Sequence, residues 1–264
     1  MPTDALRSDK EAFRTHLNYA DCLAALMREA ALKPTVALRR AALPHIEGKQ
    51  NLITLTKRSL EEEKKIVDLD ADYSFASTSW LPVKGYYLLF NRMLTIEYII
   101  TRQQTAFTMS HAAILKSFSQ RLVSGEFVFD RTALNEVFQG GIFSHRDQPG
   151  ANLSRSVSEE RRWKMAMAKI ADYKLDEWKR SKKIKDFKTN ESRAKRDEFL
   201  KRFTLSIFEY PYFMRVRANY RDFAFIEGVS SNDTANYFRT YFDFIMSFDR
   251  ALEHLQTALK AMRR

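Results

Sequence analysis

Residues 215–220 read Arg-Val-Arg-Ala-Asn-Tyr, and they gather two guanidiniums, an amide and a phenol on one short segment. Pro211, after Glu209-Tyr210, fits the first turn of a helix. That helix would turn Phe213, Val216, Tyr220, Phe223 and Ile226 inward and leave Arg215, Asn219 and Asp222 together on the other side. An Arg paired with Asn or Asp on one helix face can hold a phosphate, or can build a buried polar network that fixes helix register. Arg217 adds a second cation of the phosphate-binding type. His111 is the best histidine partner for such a cleft, and its alternative is a capping or core-packed imidazole. Arg40/His45 and Arg250/His254 also have workable spacings, but Pro44 interrupts the first and the second suits a solvated face. His16 and His145 have no partner nearby in sequence.

A second chemistry-bearing stretch lies between Arg155 and Arg202, with 17 basic and 9 acidic residues, a surplus of 8 within a net charge of +11. Trp163, Tyr173, Trp178 and Phe187 interleave there with Arg161, Arg162, Lys164, Lys179, Arg180, Lys182, Lys183 and Lys185. Rings among cations suit single-stranded nucleic acid, through stacking and counterion release. An ordinary helix with a charged outer face has the same composition. No Cys/His cluster has metal-ligand spacing, and there is neither a glycine-rich phosphate loop nor a serine nucleophile elbow. No metal or cofactor is expected.

The elements that must position these residues read as helices. Seven glycines and 6 prolines in 264 residues, with 45% hydrophobic content, favour an all-α fold with a sizeable core. Amphipathic spacing predicts helices over 9–32, 35–42 and 51–69, then a polar linker over 70–79. Residues 83–102 are apolar nearly all round, which marks the central helix. Further helices are expected over 107–123, 159–188, 192–208, 211–227 and from Asp233 onward, with loop chemistry over 130–158 and no strand. No run approaches the ~18 uncharged apolar residues of a membrane span. A pI near 9.6 points to a polyanionic partner, and the lone Cys22 fits a reducing, cytoplasmic setting.

Three motifs in order resemble the HEPN superfamily of small α-helical prokaryotic proteins. Gly85-Tyr86-Tyr87-Leu88-Leu89-Phe90 is similar to the aromatic start of that family's central helix. Ser110-His111, with Phe118, Leu122-Val123 and Gly125, resembles the Ser-His opening of the next helix in one branch. Arg215-x-x-Ala-Asn-Tyr220 resembles the end of its signature helix. The resemblance implies a helical bundle over residues 49–264, interrupted by an insertion at about 130–198, with residues 1–48 as a helical extension. It also implies a role in prokaryotic defence or a toxin–antitoxin system, a homodimer, and an RNA ligand with metal-independent cleavage as the candidate reaction. Nuclease members place a His four to six residues after the Arg, where this chain has Tyr220. The implied site is therefore Arg215, Asn219, Tyr220 and His111, and the alternative is a non-catalytic adaptor for a nucleotide or a partner protein such as a nucleotidyltransferase.

Overall fold

A computed structural model describes residues 3–35, 46–139, 159–201, 204–220 and 229–261, with backbone alone at 3–12, 139, 159–162, 219 and 220. Among the described residues the chain forms eight α-helices: α1 (Thr3–Arg28), α2 (Glu47–Leu69), α3 (Ser74–Thr101), α4 (His111–Val123), α5 (Glu159–Ser181), α6 (Asn190–Lys201), α7 (Glu209–Tyr220) and α8 (Ser231–Ala261). The fold is all-α.

The central helix is longer than its apolar run. Residues 74–79, read from sequence as linker, belong to α3, behind a short 3-10 turn whose first N–H groups Asp70 caps through Asp72 N. Ser74, Ser77 and Thr78 are buried, and the Ser74 hydroxyl donates to the Ser231 carbonyl at 3.1 Å. Small hydroxyl residues thus pack where α3 meets the start of α8. Gly85 allows the same close approach one step on, because a Cβ there would lie 2.9 Å from Ile245 Cγ1.

The helix α8 supplies the other half of the core, burying Tyr237, Phe238, Tyr241, Phe244, Ile245, Phe248, Leu252 and Leu255 at helical spacing. Between the two helices lies an ionic clamp. Arg92 donates from Nε to Asp249 Oδ1 at 2.5 Å and from Nη2 to Oδ2 at 2.9 Å, and Nη1 reaches Gln256 Oε1 at 3.2 Å. Lys57 of α2 approaches the same carboxylate at 3.6 Å. A second clamp fixes α4, where Arg121 Nη2 donates to Glu97 Oε1 of α3 at 2.8 Å. Helix α1 buries Leu23 and Met27 in the same core, against α8.

Among the described residues, four short strands correct the strand-free expectation. β1 (Leu32–Pro34) pairs antiparallel with β2 (Phe127–Phe129), Leu32 opposite Phe129 and Pro34 opposite Phe127. β3 (Phe138–Gln139) pairs antiparallel with β4 (Thr204–Leu205). Strands of two or three residues are too short to show alternation in a sequence. Helix α4 begins at His111, with residues 104–108 in a 3-10 turn, and α6 ends at Lys201 before β4. The expected helix over 35–42, from residue 36 on, lies outside the described residues.

Candidate functional site

The three sequence motifs, more than a hundred positions apart at their extremes, converge at one corner of the bundle where α3, α4 and α7 meet. Pro211 stands in the first turn of α7, which runs four residues on to Arg215. The Arg215 guanidinium lies 5.3 Å from the Tyr87 ring centre, 5.7 Å from Tyr86 and 5.8 Å from Tyr212. Its Nη2 donates to the Tyr87 hydroxyl at 3.1 Å, while the buried Nε has no acceptor. Among the described residues no carboxylate lies within ion-pair distance of it. Three ring faces hold the charge in place, through cation–π attraction, without neutralising it.

His111 is the first residue of α4, and the side chain of Ser110 caps that helix by accepting from Ala113 N at 3.2 Å. The cap leaves the imidazole to pack, its centre 4.4 Å from Phe90, 5.3 Å from Tyr86 and 5.8 Å from Tyr212. Its Nδ1 is 2.8 Å from the Tyr86 hydroxyl. Burial lowers the His111 pKa below the ordinary histidine value, and the Arg215 charge lowers it further. The ring is therefore neutral at pH 7. Burial also pushes the Tyr86 phenol well above its usual value, so it stays protonated. Phe90, on the apolar central run, is half-buried here as part of this ring cluster.

Arg217 leaves α7 on another side. Its Nη1 donates to His16 Nε2 at 2.7 Å, and its guanidinium lies 5.8 Å from the Phe213 ring. His16, whose sequence neighbours suggest no catalytic pairing, meets Arg217 201 positions away. Burial, then Arg217 and Lys169, lower its pKa to about 3, so a neutral imidazole accepts from the guanidinium. Asn219 and Tyr220 occupy the last turn of α7, and their side chains lie outside the described residues.

The basic segment comprises α5, which packs against α1 and α7, and α6, which folds back on the end of α5. Trp163 is fully buried, on the core face with Met167 and Ile170, and offers no ring to a ligand. Trp178 stacks on Phe199 with ring centres 4.7 Å apart. Phe187, in the connection, is flanked by Lys179 at 5.4 Å and Arg196 at 5.8 Å. Trp178, Lys182, Ile184, Lys195, Glu198 and Phe199 line an open pocket of ≈ 460 Å³. Arg180, Lys182, Lys183 and Lys185 are exposed, with no carboxylate at ion-pair distance among the described residues. Arg161 and Arg162 lie in the first turn of α5, where only the backbone is described.

Arg250 and His254 are both exposed on α8, and Arg40, His45 and His145 lie outside the described residues. Among the described residues no cluster of His, Cys, Asp or Glu could hold a metal ion, and no helix is long and apolar enough to cross a membrane. The sequence offered no signal for Tyr212 in the ring cluster beyond its place three residues before Arg215. No protein-family model, curated protein or solved structure matches the chain.

Proposed function

We propose that the chain is a HEPN-type protein of a prokaryotic defence or toxin–antitoxin system that binds RNA. The corner around Arg215 takes a backbone phosphate, and the exposed lysines and arginine of the α5–α6 hairpin add a sequence-independent contact. The observation that carries this reading is a guanidinium with no carboxylate at ion-pair distance among the described residues, held by three rings beside a neutral imidazole. A guanidinium without a carboxylate partner keeps its bidentate fork for a phosphate, and the Tyr87 hydroxyl lies beside it as a further donor.

The same groups suit metal-independent cleavage. In the tautomer whose Nδ1–H donates to the Tyr86 hydroxyl, His111 Nε2 carries a lone pair and can take the proton of a ribose 2′-hydroxyl. Arg215 would then stabilise the charge that develops on the phosphorane. A second reading, a non-catalytic adaptor for a partner protein, is favoured by Leu52, Leu55, Ile66 and Leu69, which are exposed along α2.

Expressing the chain and its Arg215→Ala and His111→Ala variants in bacteria separates the two. Growth arrest with RNA breakdown, lost in both variants, supports cleavage. Intact RNA and normal growth with the unaltered chain support the adaptor.

A further inference from the structure

Helix α3 carries Trp80, Lys84 and Tyr87 at positions i, i+4 and i+7, one line along one face. Trp80 is 59% exposed and Tyr87 36%, whereas Trp163 is 0% exposed in the core. Tryptophan is among the more deeply buried residue types on average, so an indole this open is out of the ordinary. Lys84 lies between the two rings, half-exposed, with its ammonium 2.9 Å from Glu63 of α2. Seven residues of helix give the line a length of ~10 Å. It ends at the Tyr87 hydroxyl that accepts from Arg215. The order along the face is therefore indole, ammonium, phenol, guanidinium.

We propose that this line is a track for single-stranded nucleic acid, resting on the reading of the Arg215 corner as a phosphate site. A phosphate binds at Arg215, and an unpaired base of the same strand stacks on Trp80. Exposed rings leading to a guanidinium match a polyanion that carries flat apolar groups, and a purely apolar partner helix would have to desolvate Arg215. A duplex keeps its bases stacked on one another and has no face to offer the indole.

Fluorescence anisotropy with a labelled single-stranded RNA oligonucleotide, and with the same strand annealed into a duplex, tests the track. Trp80→Ala should weaken single-strand binding by about 5- to 150-fold, the range of one lost stacked base. Duplex binding should change by less than about twofold, because backbone contacts carry it. Trp80→Phe should restore most of the single-strand affinity. In a Trp178→Phe background the single strand should quench the intrinsic emission of Trp80, since Trp163 is buried. If Trp80→Ala binds normally while Arg215→Ala abolishes binding, the track is wrong and the phosphate corner stands. No binding by the unaltered chain would overturn both. Equal losses for single strand and duplex, or conversion of a dimer to a monomer by Trp80→Ala in sedimentation, would also overturn the track, the latter by making this face a contact between copies of the chain.

Discussion

Arg92, on the central helix α3, and Arg215, docked against that helix from α7, are held in opposite ways. Arg92 is 3% exposed and its fork is filled by Asp249, with Gln256 on the remaining amine and Glu253 at 3.5 Å. Arg215 has rings where Arg92 has a carboxylate and, among the described residues, a phenol as its hydrogen-bond partner and a buried Nε with no acceptor. A neutralised cation inside the seam between α3 and α8 specifies how two helices fit. A cation with no carboxylate beside it among the described residues is, on the proposed reading, one kept for a ligand. The two histidines divide along the same line. His16 is buried and made neutral within the fold, whereas His111 is neutral yet lies at the corner beside Arg215.

The largest expected effect is on the inner side of this comparison. Arg92→Ala leaves Asp249 buried without its main counter-ion, which should cost about 3–5 kcal/mol in chemical denaturation. Arg92→Met combined with Asp249→Leu should recover much of that loss, because a buried ion pair replaced by well-packed apolar groups is often neutral in stability. If Arg92→Ala alone were as stable as the unaltered chain, the clamp would have no structural role and the contrast with Arg215 would collapse.

A smaller effect comes from His16. Its folded pKa of about 3 is depressed below the ordinary 6.5, so the unfolded chain binds the proton more readily. The stabilising contribution is complete above pH 6.5 and is lost as pH falls toward 3, by at most about 1.4 kcal/mol per pH unit. Unfolding followed between pH 7 and 5 should show that slope, and His16→Gln should flatten it. An unchanged slope in the variant would move the acid sensitivity to other groups.

Sequence patterns carried the inner frame further than they carried the corner. The apolar circumference of residues 83–102 marked α3 as central, and a helix was legible from Asp233 onward, where α8 stands. Arg92, by contrast, interrupts the apolar run and looks like a solvent residue, because its partner lies 157 positions away and leaves no local periodicity. The hydroxyl-rich stretch 74–79 reads as linker, since burial of Ser74, Ser77 and Thr78 depends on helix α8 packing over them. Trp163 looks like a ring among cations until Met167 and Ile170 are placed on the same helix face. At the corner, His111 and Arg215 were visible as residue types and their meeting was not, because it depends on how α4 and α7 dock on α3. Tyr212 and Trp80 drew no attention for the same reason: a ring becomes part of a site only through what faces it.

The most direct test measures stability and RNA binding together for Arg215→Ala. Cation–π contacts at partly exposed sites are worth roughly 0.5–1 kcal/mol each, so loss of the three rings should shift denaturation by about 1.5–3 kcal/mol, less than the loss expected for Arg92→Ala. RNA affinity at low salt should fall at least about tenfold, in keeping with the loss of a charge-assisted contact worth ~1.5–3 kcal/mol. A variant that unfolds as readily as Arg92→Ala, or one that binds RNA as tightly as the unaltered chain, would contradict the assignment of Arg215 as a cation held ready for a phosphate.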